Sequence, residues 1–446
     1  MTQRLHAAPP SAARWLARGL RPFARVEPSE AVSVALLTLT VFTLLLGYYL
    51  LKTAREPLIL LHGGAEVKSY ASAGQSLLLL LIIPAYAALA RRVGRVRLLV
   101  FVYGFFVSNL LVFATLLQAG VEIGVAFYLW VGIFNNTAIA QLWGFANDLY
   151  TPEQGKRLFT VLGIGSSVGA VAGAFIAKRL ALFGPLPMQL IAAALLVVCA
   201  LLVILVEHYD RNTRARRDAG PEPEAKPPLE GPALQLLLRD KYLIWIALLT
   251  FVLNCVNTTG EYLLDRTLLE MIGGTGATHQ EAVQTVASFK ADYFGWVNLI
   301  GVVLQLFVVS RVLQLLGVAR ALFVLPIVAF ASYGLMWLTP VLAWVRLGKI
   351  AENSLDYSLQ NTARQALFLV GTRAEKYLGK TVIDTFVVRM GDVFSAMLVY
   401  GAGMLHLPSR TFALVNLALV VCWLGIVLGL GREHARRARE LAASQT

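Results

Sequence analysis

Apolar residues run along this chain in stretches of about 20, the length at which an α-helix crosses ~30 Å of hydrocarbon. Twelve such stretches stand at about 31–51, 70–90, 98–118, 123–147, 157–180, 187–207, 243–263, 292–315, 319–339, 341–363, 379–405 and 410–431. A charged, Pro-rich segment from His208 to Pro232 separates them six and six and reads as a flexible linker. The pattern predicts an all-α integral membrane protein of about 12 transmembrane helices in two six-helix halves. The expected boundaries are a basic arm at 1–30, an N-terminal half at 31–207, a linker at 208–241, a C-terminal half at 242–431 and a tail at 432–446.

Composition agrees, with 57% hydrophobic and 15% charged residues among 446. The net charge of +13 first suggests a nucleic-acid partner. Its distribution argues against one, because the cations cluster in alternate loops. Arg91, Arg92, Arg95 and Arg97, then Lys156 and Arg157, then Arg211, Arg214, Arg216 and Arg217, and finally Arg432, Arg436, Arg437 and Arg439 all fall on one side if both termini are cytoplasmic. The opposite loops are poor in cations apart from Lys178, Arg179, Arg266, Lys290 and Arg410. That pattern predicts a multi-pass chain with both termini cytoplasmic. In the arm, Trp15, Leu16, Leu20 and Phe23 among arginines predict a short interfacial helix on anionic lipid. Cys199, Cys255 and Cys422 all sit in apolar spans without metal spacing. The six histidines show no metal motif, and no nucleophile elbow occurs, so neither metal, cofactor nor catalysis is expected.

The informative residues are the charges inside the spans, because a charge at mid-bilayer costs about 2.5–3.5 kcal/mol and normally faces a wet interior. Arg346, Lys349, Glu352 and Asp356 form one polar stripe with Asn353 and Gln360, and Lys380 and Asp384 repeat the spacing on the next helix. Lys52, Arg55 and Glu56 follow the first apolar stretch. Either the two cations snorkel at a helix end, or the helix continues past a charged site, where cations at i and i+3 suit an anion. The fourth span carries Asn135, Asn136, Gln141, Asn147 and Asp148, with interhelical hydrogen bonding as the plain reading. The Gly165–Gly173 run reads as close helix packing, since it lacks the phosphate-loop sequence. In the seventh span Glu261 needs a partner or a proton, while Asp265 and Arg266 read as the span's outer end.

Six plus six helices around a central linker resemble the major facilitator superfamily. The loop after the second span resembles that superfamily's signature at Arg92, Gly94 and Arg95, with Ala87 and Arg91 as departures. The resemblance implies alternating access around a site near mid-membrane. Leu142-Trp143-Gly144-Phe145-Ala146-Asn147, then Lys156-Arg157-Leu158-Phe159 and Gly163-Ile164-Gly165, are similar to the fourth-to-fifth-span signature of the nucleotide (ATP/ADP) translocases. Leu304-Gln305-Leu306-Phe307 with Ser310-Arg311-Val312-Leu313 resembles their eighth span. Tyr357 to Arg364 and Gly379 to Asp384 resemble their tenth-to-eleventh-span block.

That resemblance implies exchange of ATP for ADP or transport of another nucleotide. The family's first-span basic element corresponds to Lys52, Arg55 and Glu56, with Arg for Lys, Glu for Asp and an added Pro57. Its acids correspond to Glu153 and Glu261, and its late lysines to Arg364 and Lys380. The expected substrate-binding residues are therefore Lys52, Arg55, Asn147, Arg364 and Lys380. The expected coupling or charge-pair residues are Glu56, Asp148, Glu153, Glu261, Lys349, Glu352, Asp356 and Asp384. The expected partners are a nucleotide or another phosphorylated anion and membrane lipid. The competing expectation is a proton-coupled major-facilitator carrier of another organic anion or amphiphile.

Overall fold

The computed structural model describes residues 11–20, 24–90, 93–214, 233–372 and 375–443. The first ten residues, Phe23, Arg91, Arg92 and most of the linker lie outside the described residues, which contain no strand.

The first helix, α1 (Ser11–Leu20), exposes Trp15 and Leu16 and buries Ala17. Next comes α2 (Ala31–Ala90), 60 residues long and bent at Gly64, whose φ of 74° suits a residue without a side chain. The helix therefore continues past Lys52 and Arg55 to Gly63, well beyond its first apolar window. Then follow α3 (Arg95–Gln118), α4 (Gly124–Phe134), α5 (Ala140–Leu149), α6 (Pro152–Leu180) and α7 (Pro185–Arg214). A π-helical turn, Asn135–Ile139, joins α4 to α5. Thr151 caps α6 through a capping box with Gln154, and Pro152 occupies the first turn, where its missing N–H costs nothing.

The later helices are α8 (Ala233–Arg239), α9 (Lys241–Gly273), α10 (His279–Phe307), α11 (Val309–Ala321), α12 (Val324–Leu338), α13 (Leu342–Leu355), α14 (Asn361–Leu367), α15 (Lys380–Val382), α16 (Val388–Met404) and α17 (Ser409–Ala443). Wide π turns at Asp356–Gln360, Glu375–Gly379 and Ile383–Val387 link α13 to α14 and carry the chain into α15 and α16. After α10 the axis turns by 77° into α11. By length and apolarity alone, seven helices, or eight with that bent pair, pass as spans. That count takes α2 once although it folds at Gly64, and omits the 15-residue α12 and the two crossings interrupted by wide turns and charge. With these included the crossings number twelve. Their outward side chains are apolar, with Phe101 65% and Met397 63% exposed, as lipid contact requires.

The chain forms two compact units. The first comprises residues 1–55, 84–123 and 130–225. In it α6 lies directly on α2. A Cβ at Gly165 would stand 2.6 Å from Thr38 Cγ2, one at Gly173 2.6 Å from the Leu46 carbonyl, and one at Gly169 would run into the Phe42 carbonyl. The Gly165–Gly173 run is thus a packing ladder. In the same unit Phe106, Trp130 and Phe134 form an aromatic group, with Trp130 and Phe134 stacked at 5.9 Å. Glu30 accepts from Gln154 Nε2 at 2.7 Å and from Arg157 at 2.6 Å.

The second unit comprises residues 56–83, 124–129 and 226–446. Here α9 packs between α16 and α17, while α13 packs on α9, α10 and α12. Asp240 caps α9 by accepting from the Tyr242 and Leu243 N–H groups and also pairs with Arg437, which reaches Glu375 at 3.0 Å. Burial alone would raise the Asp240 carboxyl, but Arg437 and the two backbone donors hold it below the usual carboxylate range. Tyr242 donates to the Leu367 carbonyl at 2.8 Å and meets His434 at 2.7 Å, which completes this seam at the chain's C-terminal end.

Candidate functional site

Two groups of buried polar residues stand out in the second unit. The first gathers charges from α2, α9 and α10. Lys68 donates to Glu56 at 2.5 Å and to Asp265 at 2.6 Å, and Asp265 also pairs with Lys290. Lys290 lies 3.7 Å from both Glu56 and Glu261. Lys290 is fully buried, and Glu56 and Asp265 are almost so. Glu261 accepts from Tyr293 at 2.6 Å and from Asn353 at 2.8 Å. Around this group Glu66 accepts from Tyr262, whose hydroxyl in turn accepts from Arg266. Isolated charges are untenable in such surroundings, and multiple pairing is what makes them tolerable.

Asp265 and Lys290 depart from the sequence expectation. The chain's pattern puts Asp265 at a span's outer end and Lys290 in an outer loop. In the structure α9 continues to Gly273 and α10 begins at His279, so both residues stand inside long helices. Lys68 falls between the first two apolar windows and carries no signal of its own.

The second group lies on α13 and the wide turn after it. Lys349, fully buried, donates to Glu352 at 3.2 Å and to Asn257 Oδ1 at 3.1 Å, and Tyr333 donates to Glu352 at 3.0 Å. Gly260 makes room for this arrangement, since a Cβ there would meet the Tyr333 hydroxyl and stand 2.9 Å from Lys349 Nζ. Arg346 leaves the group to pair with Asp292 on α10. Beyond it opens a cavity of about 430 Å³ lined by Thr250, Asn254, Asn257, Asp356, Tyr357, Asn361 and Arg364, with Leu253 and Val388 as its apolar wall. Its volume falls within the roughly 300–1,000 Å³ of small-molecule sites. Arg364 approaches Asp384 at 3.9 Å, and both are partly exposed. Asp392 sits on α16 with Ser76 at 2.5 Å, Asn254 at 2.8 Å and Thr258 at 3.2 Å.

The remaining expected residues are distributed more widely. In the first unit Lys52 lies 5.3 Å from the Tyr49 ring centroid, and Arg55 is half-buried one turn on. Asn147 and Asp148 are exposed at the end of α5. Glu153 belongs to the first turn of α6, and its side chain lies outside the described residues. In the second unit Lys380 opens α15, half-buried, and does not line the cavity. Tyr48 and Tyr49 are buried against one another, edge to face at 5.3 Å, and Trp143 meets Phe159 in the same manner.

Twelve crossing helices with paired charges in their interior and a polar cavity beside them define a multi-pass membrane transporter. The family model of the Major Facilitator Superfamily matches residues 32–375, and the chain belongs to that superfamily. It is 21% identical over 363 residues to ADP,ATP carrier protein 1 of Chlamydia muridarum, covering 71% of this chain and 67% of that protein. It is 22% identical to the protein of the same name from Chlamydia pneumoniae, covering 67% of this chain and 65% of the relative. The matched region thus spans about two thirds of the relatives' length. Among solved structures, a bacterial homologue of the iron transporter ferroportin in its inward-facing state superposes with a TM-score of 0.62 at 13% identity, over 90% of this chain and 98% of the other. A nucleoside transporter, NupG, superposes with a TM-score of 0.58 at 11% identity, over 89% and 98%. These likenesses concern the fold. The family is one of transporters, and the chain is not an enzyme.

Proposed function

We propose that this protein exchanges nucleotides of the ATP/ADP type across a bacterial inner membrane by alternating access, with both termini cytoplasmic. The observation that carries the reading is the polar cavity with Arg364 on its wall. A guanidinium offers two parallel N–H donors to a phosphate, and the neighbouring asparagines supply donors and acceptors suited to a sugar or base. The relatives named as ADP,ATP carriers support a nucleotide as the anion. In this reading Asp384 holds Arg364 until phosphate replaces it. Each loading state then prefers its own conformation, which coupled exchange requires. Lys52, Arg55 and Lys380, outside this cavity, are in this reading further cations along the anion's path.

The test is uptake of radiolabelled ATP into proteoliposomes preloaded with ADP. Uptake that requires internal ADP is expected. Absence of both uptake and exchange across adenine and guanine nucleotides would remove the nucleotide and leave a carrier of another anion.

A further inference from the structure

Two histidines from distant segments meet outside the groups described above. His62 stands on α2 two residues before the bend at Gly64, and His279 opens α10. Both belong to the second compact unit, and both are exposed. Their ring centroids lie 5.5 Å apart, with 67° between the ring planes. The ligand spacing of a metal motif is absent from the sequence because the two rings come from different halves of it.

The segments that carry the rings are held in place by packing. Ile59 and Leu60 of α2 share one buried apolar cluster with Ala282 and Val286 of α10 and with Leu268 and Ile272 of α9. Thr278 caps α10 directly before His279, and Glu281 completes the capping box. After His62 the bend is tight, since a Cβ at Gly63 would stand 2.7 Å from the Val67 side chain. The two imidazoles thus sit on rigid elements, as a preorganised site needs.

One hydrogen bond fixes the chemistry of His62. Its Nδ1 lies 3.2 Å from the Leu58 carbonyl oxygen. That oxygen can only accept, so Nδ1 carries the proton and the neutral ring presents the lone pair of Nε2. Metal-binding histidines are oriented in the same way, by the other ring nitrogen on a carbonyl or carboxylate. A tetrahedral ion about 2.0–2.1 Å from one nitrogen of each ring sets the two ring centres about 5 Å apart. The observed 5.5 Å is close to that separation. The nearby acids are already engaged, Glu281 by Thr278 and Glu66 by Tyr262. No set of three or more His, Cys, Asp or Glu side chains suited to a metal occurs among the described residues, so water would complete the coordination.

We propose that His62 and His279 form a binding site for a borderline divalent transition-metal ion of the Zn²⁺ class, which clips the bend of α2 to the first turn of α10. Imidazole nitrogen suits Zn²⁺, Cu²⁺ and Ni²⁺, whereas Mg²⁺ and Ca²⁺ need oxygen ligands. The ion replaces a ring-to-ring contact by two metal–nitrogen bonds and stabilises the folded protein by mass action. Two side-chain ligands hold it less firmly than the four of a closed structural site, so occupancy follows the metal concentration. The assignment is independent of the cargo.

Calorimetric titration of ZnCl₂ into the purified full-length protein, made without a polyhistidine tag, tests it. One saturable site per chain is expected, with a rise in melting temperature, and neither is expected with MgCl₂. His62→Ala and His279→Ala should each weaken Zn²⁺ binding by roughly 10-fold or more, at least what loss of an outer-shell partner costs. Both rings are exposed, so the melting temperature without metal should stay that of the wild type. Cu²⁺ in place of Zn²⁺ counts the ligands: electron paramagnetic resonance should show two coupled imidazole nitrogens in the wild type and one in each variant. The wild-type spectrum decides the matter if a variant does not fold. Absence of saturable Zn²⁺ binding, binding unchanged in either variant, or a single coupled nitrogen in the wild type overturns the proposal.

Discussion

Lys68 and Asp265 stand 197 positions apart in the chain and 2.6 Å apart in space. Lys290 meets the same carboxylate, and Glu56 meets both lysines. The group holds three acids, Glu56, Asp265 and Glu261, against two lysines, so each cation serves more than one partner. Removing Lys290 takes from Asp265, Glu56 and Glu261 a cation they share in a buried place. Lys290→Met is expected to cost about 3–5 kcal/mol in denaturant titrations of the detergent-solubilised protein. The pair Lys290→Met with Asp265→Leu should recover part of that loss, because it removes the stranded charge with its partner. Equal loss in the single and double variants would show that the pairing is not what matters.

Arg364 offers a second test, separate from stability. Its guanidinium is partly exposed and pairs with Asp384 only loosely, at 3.9 Å. Arg364→Gln should weaken ADP binding by roughly 10- to 100-fold, the range of a hydrogen-bonded charge, while leaving the melting temperature close to that of the wild type. Arg364→Lys should fall between the two, since it keeps the charge but loses the fork. Calorimetry on the purified protein measures this, and unchanged binding in Arg364→Gln would take the anion elsewhere.

The glycine ladder of α6 makes a steric prediction. At Gly169 a methyl group would meet a backbone carbonyl of α2, which cannot rotate away. Gly169→Ala should cost about 1–3 kcal/mol by overpacking. Gly163→Ala, with open space around its Cβ, should cost little and serves as the control. Thermal denaturation of the two side by side distinguishes them.

Asp240 predicts a pH dependence. Its carboxyl is held below the ordinary range in the folded protein by Arg437 and the α9 backbone. The folded state therefore binds fewer protons at this site than the unfolded one. The resulting stability is fully present above about pH 4 and is lost as pH falls through the depressed folded value. Asp240→Asn keeps the helix cap and loses the charge, whereas Asp240→Ala loses both. The first should flatten the acid limb of a stability–pH curve. The second should also lower stability at neutral pH by about 1 kcal/mol.

The sequence showed the crossings, the α13 stripe and the glycine ladder because each leaves a periodic trace in a single segment. Lys349 and Glu352 could be read as a charge pair for the same reason. Lys68, Asp265 and Lys290 could not. Each lies two residues outside an apolar window, Lys68 before 70–90, Asp265 after 243–263 and Lys290 before 292–315, and a window of hydrophobicity ends where mutually neutralised charges begin. Nothing local to Lys290 reveals that Asp265 is waiting for it. Lys380 and Asp384 have a spacing that reads as one helix face, but their place relative to the cavity, whose lining includes neither, depends on contacts that no local pattern carries.

The wide turns at Asp356–Gln360 and Ile383–Val387 carry a consequence for insertions and deletions. Each holds one residue more than a regular turn, so removing one residue inside it can restore an ordinary α-helix without breaking the chain. The helix below then keeps its facing, because the wide turn had absorbed the extra residue. A deletion at 356–360 should therefore leave Arg364 on its cavity wall, whereas a deletion within the regular helix Leu342–Leu355 turns everything downstream by about 100°. The first shortened variant should be well made, and the second should not.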